Sequence, residues 1–430
     1  MSELRVLIDE NEVGTISQGQ SGRLKFVYDD AWRNTVDAVP LSLSMPLAQR
    51  TYPHKTVSAY LWNLLPDRED TLRQIAAEHG VSARNPFALA GARGEDLPGA
   101  VQIVPPERIP DLKRREGVNR ISEADLGRLL RNLQRASGVT HIGEDSGFFS
   151  LAGAQPKVAA CLVNDRWYEQ RGRTPSTHII KPAMLDLDAQ VENEHFCLRL
   201  AKAVGLNSVK SSVRSINDLQ TIVVERYDRV RLKNNTRLRL DRSGGRVFRF
   251  HQEDMCSALS VLPENKYQSL GGPGMKPVMQ LLEGSSSAEV DRERFMRACA
   301  FNFVIAGTDA HGKNYSVLMD AGGRFRLAPL YDIISALPYD PETYNSLAMS
   351  VGGERKLRKI TPRHWQKAAA ECRYDPQKAL AHVRDYAAHA PVAATELLGA
   401  CNQEGLRVAV LRRLVDSLSK RSEKLLAEFQ

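Results

Sequence analysis

Between Phe301 and Ile333 the chain reads FNFVIAGTDAHGKNYSVLMDAGGRFRLAPLYDI: an apolar run, a short polar loop with Asp309, His311, Lys313 and Asn314, and a second apolar run ending on Tyr331 and Asp332. These residue types suit phosphoryl transfer. A carboxylate such as Asp309 can orient or deprotonate an attacking hydroxyl. The Asn314 amide, five residues on, and the Asp332 carboxylate, eighteen further, can hold magnesium against ATP phosphates. The same composition is also ordinary turn chemistry, because Asn and Asp bond their own backbone and Gly312 tolerates positive φ.

The upstream half supplies candidate phosphate-binding pieces. In SLAGAQPKVAACLV a small-residue loop lies between two expected strands. The N–H groups of Ala152, Gly153, Ala154 and Gln155 can cradle anionic oxygens there, with Pro156 inside the loop and Lys157 opening the next strand. A plain β-turn is the competing reading, and the loop is neither a Walker A sequence nor G-x-G-x-x-G. Lys181 ends the β-branched run THIIK, either as a point charge for α- and β-phosphates or as a snorkelling lysine. DAQVENEHFCLRLAKAVGL predicts a helix stopped by Gly205. Its Glu192 and Glu194 either answer the helix dipole or supply, with Glu194 favoured, a partner for Lys181. The run IVV then leads into Glu225, Arg226 and Tyr227, a strand end whose backbone can read an adenine edge. From Arg226 to Arg249 nine basic residues face two acids. Their alternation predicts an exposed hairpin with solvated arginines, with a contact to phosphate or an acidic partner as the sharper alternative.

The elements that must carry these groups fall into three parts. Residues 1–105 read as a β-rich unit with a helical insertion. A leading hairpin turns at Glu10 to Gly14, helical spacing runs through AYLWNLLPDREDTLRQIAAEHG to a stop at Gly80, and a loop, strand and double proline close the unit. Residues 106–250 form the ATP-binding part, opened by a capped helix over 122–136 with Leu126, Leu129, Leu130 and Leu133 as its stripe. Residues 251–430 form a helical lobe. HQEDMCSALSV begins as a helix, RERFMRACAFNFVIAG is a buried central helix, SALPYDPETYNSLAMSVGG is irregular, and three amphipathic helices complete the chain.

At 430 residues, with 42% hydrophobic and 26% charged residues, the composition is globular. The start MSELRVLIDENEVG lacks a secretory pattern, and no apolar run approaches the roughly 18 residues of a spanning helix, so neither export nor a membrane is expected. Six cysteines without a C-x-x-C pair argue against zinc or a disulfide framework and for a reducing cytoplasm. A net charge of +8 permits an acidic partner. Without a zinc-finger, basic-zipper or RNP pattern, DNA contact is expected only through another protein.

The stretches LWNLLPD, NPFALAGARGEDLPGAVQI, SLAGAQPK, HIIKP, ENEHFCLRLAKAVGL, VVERYDR, HQEDMCSAL, FNFVIAGTDAHGKNYS and LAPLYDI, taken in order, resemble the HipA family, the serine/threonine kinase toxins of bacterial toxin–antitoxin pairs. The resemblance implies an α+β, protein-kinase-like two-lobed fold with an added N-terminal β-rich unit and a helical C-terminal lobe. It implies Asp309 as the catalytic base and Asn314 and Asp332 as magnesium ligands. ATP contacts are implied for Ala152, Gly153, Ala154, Gln155, Pro156, Lys157, Lys181, Glu225, Arg226, Tyr227, His311, Gly312, Lys313, Asn314, Tyr331 and Asp332. It puts an autophosphorylated serine on Ser150, where a phosphate inside a nest meant for ATP must compete with ATP or force the loop outward. It further implies a HipB-like helix-turn-helix antitoxin, operator DNA reached through that antitoxin, and a protein substrate, glutamyl-tRNA synthetase in the best known branch, whose modification causes growth arrest and drug tolerance. A DNA-associated corepressor with little kinase activity and a small-molecule kinase are the alternative readings. Two features depart from kinase patterns: Pro156 fixes φ inside the loop, and Tyr331, Asp332 and Ile333 do not spell D-F-G.

Overall fold

The computed structural model describes residues 2–136, 152–153, 155–232 and 246–430. By compactness the chain divides into two units, the first comprising Met1–Pro182, Arg214–Pro263 and Val317–Phe325 and the second Ala183–Val213, Glu264–Ser316 and Arg326–Gln430.

In the first unit the alternating runs of the N-terminus form strands Ser2–Ile8 and Asn11–Gln18, joined by Leu24–Tyr28, Thr51–Pro53 and Val101–Val104 into a five-stranded antiparallel sheet. The first hairpin turns on Asp9 and Glu10, both at positive φ (44° and 80°), and not across Glu10 to Gly14. Such a two-residue turn matches the twist of its strands. Gly14 instead lies within the second strand, where a Cβ would collide with the Val27 carbonyl and the Phe26 ring. The helical insertion is two helices, His54–Leu64 and Glu69–His79, separated around Pro66. A proline disfavours helical backbone in the residue before it, and Leu65 is extended. Gly80 ends the second helix in the left-handed region, as its position in the sequence predicts. Val57, Tyr60, Leu61 and Leu64 pack with Phe26, Tyr28 and Ile103 into one core.

A six-stranded sheet follows, ordered from its edge strand ending at Ile216 through Leu219–Glu225, His178–Pro182, Val158–Val163, Arg166–Arg171 and Gly117–Arg120. Helix Glu123–Ala136 covers it with Leu126, Leu129, Leu130 and Leu133, and Ser122 caps the helix by accepting from Asp125 N at 3.1 Å.

Two expectations fail in this unit for physical reasons. HQEDMCSALSV does not start as a helix: His251–Asp254 is a strand, its residues alternately buried and half-buried, and only Met255–Ala258 is helical, with Asp254 as N-cap to Ser257 N at 2.9 Å. The acids taken for a first turn therefore face different surroundings. Glu253 is buried and accepts from Leu43 N at 2.7 Å; burial pushes its carboxyl up to about 8. Nor, among the described residues, are the arginines of the expected solvated hairpin left to solvent. Arg229–Leu232 pairs with Arg246–Arg249, but Arg226, Arg229 and Arg249 are drawn inward by carboxylates. Asp96 meets Arg229 at 3.1 Å, Arg249 at 3.2 Å and Arg226 at 3.4 Å, while Asp228 meets Arg226 at 2.8 Å and Arg229 at 2.9 Å. Burial alone would raise both carboxyls. The guanidiniums outweigh it and hold both below the usual carboxylate range.

The second unit is mainly helical. Ala288–Val304 is the buried helix its all-round apolarity predicts, with Phe295, Met296, Phe301 and Phe303 inaccessible. Around it stand Gln190–Ala203 and the C-terminal helices Pro362–Glu371, Pro376–Gln403 and Val408–Glu428, the last burying Leu411, Leu414, Val415 and Leu418. The stretch expected to be irregular after Ser335 contains a strand, Ser346–Val351, paired with Glu354–Lys356. The six cysteines carry free thiols. Burial pushes Cys197 up to about 12 and Cys372 up to about 11, which removes both as nucleophiles at neutral pH. Among the described residues no helix is long and apolar enough to cross a membrane.

Candidate active site

The buried helix Ala288–Val304 delivers the polar loop at its C-terminal end. Its exit is tight: Gly307 N donates to Asn302 O at 2.7 Å, and a Cβ on Gly307 would collide with the Asn302 side chain. Ala306 takes positive φ (53°) at this bend. The turn then closes on itself. His311 N donates to Asp309 O at 2.8 Å, Asn314 N to His311 O at 2.9 Å, and Asn314 Nδ2 to Asp309 O at 3.0 Å. Because the amide nitrogen is committed to that carbonyl, the orientation of the Asn314 side chain is fixed and its oxygen is turned away from it. His311, Lys313 and Asn314 are buried, whereas Asp309 is exposed.

The second apolar run is held as firmly. Leu327 N donates to Asp291 Oδ2 at 2.9 Å, and Arg294 reaches the carbonyls of Leu327 and Ala328 at 3.0 and 3.3 Å. Leu330 exchanges backbone bonds with Asn207 and Val209 at 2.8 and 2.9 Å. Tyr331 Oη donates to Lys313 O at 2.7 Å and lies 2.6 Å from Ser316 Oγ, so the run is tied to the polar loop directly. Asp332 itself sits at φ 58°, a left-handed conformation that aspartate tolerates better than most residues. Just beyond it, Asn193 on helix Gln190–Ala203 exchanges bonds with Ser335, donating at 2.8 Å and accepting at 3.1 Å. The outcome is one shallow pocket lined by Asp309, Asn314, Tyr331 and Asp332 together with Asn302 and Gly307.

The donor set suits magnesium. An amide oxygen and a carboxylate line the same pocket, and the hard, water-retaining ion takes few protein ligands beside phosphate oxygens. Among the described residues no three His, Cys, Asp or Glu side chains gather to hold a metal unaided.

The other sequence-derived positions belong to the first unit, except Glu194, which is in the second. Ser150 and Ala154 lie outside the described residues. Gly153 adopts φ 108°, its carbonyl accepts from Asp67 N at 3.3 Å, and Lys157 Nζ donates to Ala152 O at 2.7 Å. Gln155 and Pro156 are half-buried beside them. Lys181 is buried on strand His178–Pro182, opposite Ile222 of strand Leu219–Glu225. That strand ends on Glu225, as expected. Arg226 N is committed to Thr177 O at 3.0 Å and its guanidinium to Asp96 and Asp228, so its part at the strand end is to fix the backbone. Tyr227 Oη donates to Gln252 Oε1 at 2.8 Å. Glu194 is buried and accepts from Gln190 Nε2 at 3.0 Å.

One participant had no sequence signal. Tyr267, in the Gly/Pro-rich loop before helix Met275–Leu282, donates its phenol to Asp309 Oδ1 at 2.7 Å. Nothing in the spacing of KYQSLGGPG singles it out.

Comparison with known proteins agrees with a kinase-like α+β fold. HipA of Shewanella oneidensis MR-1, solved with HipB and operator DNA, superposes with a TM-score of 0.83 at 23% identity, covering 99% of this chain and 98% of that one. Residues 4–104 match the HipA N-terminal domain and residues 149–394 the HipA-like C-terminal domain. A putative kinase, Y4mE, of Sinorhizobium fredii is 35% identical over 86% of this chain and 85% of its own length. The serine/threonine-protein kinase toxin HipA of Shewanella oneidensis is 29% identical over 76% of this chain and 73% of its own length. The chain belongs to the HipA family.

Proposed function

We propose that the chain is an ATP- and magnesium-dependent serine/threonine protein kinase, the toxin of a toxin–antitoxin pair acting in the cytoplasm. What supports the reading is that Asp309, Asn314 and Asp332, three separate side chains with the chemistry of a phosphotransferase, line one pocket in a member of a kinase-toxin family. Asp309 accepts the proton of the attacking hydroxyl as that oxygen bonds to the γ-phosphorus and ADP leaves. Asn314 and Asp332 would hold magnesium, and Lys181 with the loop from Ala152 to Lys157 would answer the phosphates. When bound, the ion offsets negative charge on the phosphate oxygens.

The acceptor is a serine of a translation protein, glutamyl-tRNA synthetase, with growth arrest and persistence as the consequence. Ser150 is the acceptor in the chain's own inactivating reaction. A HipB-like helix-turn-helix antitoxin is the partner, and with it the chain acts as a corepressor on operator DNA. The composition of the solved Shewanella complex supports this part.

Labelled ATP tests the proposal. Purified chain incubated with [γ-32P]ATP and magnesium should carry label on Ser150, located by peptide mass spectrometry, and should lose the reaction on chelation. Magnesium-replete protein that labels no residue, or transfers only to small molecules, would contradict it.

A further inference from the structure

Tyr267 is fastened more firmly than a surface tyrosine needs to be. Its phenol donates to Asp309 Oδ1 at 2.7 Å, its ring stands edge-on to His311 with centroids 5.0 Å apart, and Lys266 Nζ lies 5.5 Å from the same ring. The backbone beneath is pinned at several points. Gly312 N donates to Lys266 O at 3.3 Å, Ser350 N to Gln268 Oε1 at 2.7 Å, and Gly272 N back to Tyr267 O at 3.0 Å. Gly271 takes φ 90°, and a Cβ on Gly272 would collide with the Asn265 carbonyl. Two consecutive residues thus hold the two ends of the turn from Asp309 to Gly312, one through its carbonyl and the other through its hydroxyl.

We infer that Tyr267 is a positioning residue for phosphoryl transfer: its hydroxyl keeps the Asp309 carboxylate in the rotamer from which it receives the acceptor's proton. This rests on the reading of Asp309 as the base. An exposed aspartate has several staggered rotamers open to it, and a reacting group misplaced by about 1 Å costs on the order of a hundredfold in rate. A hydrogen bond to the charged oxygen from a pinned loop removes that freedom. A loop built to swing aside would not be anchored at Gly312 and Ser350, which argues against the phenol as a mere plug over the base.

Tyr267→Phe keeps the ring and removes only the hydroxyl. Initial rates of transfer from labelled magnesium-ATP to the chain itself and to casein, taken over a range of ATP concentrations, should give kcat lower by about tenfold, with KM for ATP and the melting temperature unchanged. In an Asp309→Asn background the same substitution should cost nothing further, because the group it positions is already disabled. Transfer that is unchanged or faster in Tyr267→Phe would overturn the inference, and so would an equal additional loss in the Asp309→Asn background. A melting temperature lower by several degrees would also overturn it, since the hydroxyl would then support the loop and not the carboxylate. Failure of the base reading itself looks different: there Asp309→Asn alone leaves transfer intact.

Discussion

Asp309→Asn should reduce phosphoryl transfer by about a thousandfold while leaving the protein as stable as its parent, because a positioned general base is worth roughly 10²–10⁴ in rate. The substitution is nearly isosteric, and the amide oxygen can still accept the Tyr267 hydroxyl that now meets Oδ1 at 2.7 Å. The side chain is exposed, so no buried charge or packing is disturbed and the stability change should stay within about 0.5 kcal/mol. Label incorporation from [γ-32P]ATP beside a thermal melt measures both. Activity within a few-fold of the parent would remove Asp309 from the role of base.

The largest effect on stability is expected far from the pocket. Asp96→Ala should destabilise the chain by about 3–5 kcal/mol, because it leaves Arg226, Arg229 and Arg249 buried around a missing carboxylate. Asp96 also accepts from Ser176 N at 3.2 Å and Oγ at 2.5 Å, so the loss reaches the strand register as well. Glu69→Ala is the control: its pair with Arg73 is exposed on both sides, so its removal should leave the unfolding midpoint essentially unchanged. The pH dependence has a definite sign. Asp96 and Asp228 have folded-state values below their unfolded ones, so their contribution is present above the ordinary carboxylate range and is lost as pH falls through the folded values. Urea unfolding at pH 7 and again below pH 4 should therefore show the gap between parent and Asp96→Ala shrinking in acid.

Local rules carried much of the architecture. The apolar stretch ending at Val304 could only be a buried helix, and Gly80 and Gly205 mark where helices stop. The pocket residues were legible for a related reason, since Asp309, Asn314 and Asp332 flank apolar elements that must end near them. What escaped was decided by partners distant in sequence or by backbone freedom that residue type does not announce. The alternating arginines from Arg226 onward read as solvent-facing because the segment carries few acids of its own, yet besides the adjacent Asp228 they meet Asp96, 130 positions away from Arg226. His251–Asp254 carries acids that suit a first helical turn, but a buried histidine and glutamate require the alternation of a strand. Asp9 and Glu10 form a turn usually given to Asn-Gly, which moved the expected bend onto Gly14. Tyr267 lies 42 residues before the carboxylate it holds, and no spacing rule connects them.

The most direct test is metal binding at Asp332. Asp332→Asn keeps a residue that tolerates the observed φ of 58° and removes the charge. Manganese standing in for magnesium, titrated with a non-hydrolysable ATP analogue, is followed by the free-ion signal in electron paramagnetic resonance. The parent protein should take up one ion per chain only when the analogue is present, and Asp332→Asn should bind it at least about tenfold more weakly with an unchanged melting temperature. A variant that takes up manganese as tightly as the parent would contradict the account.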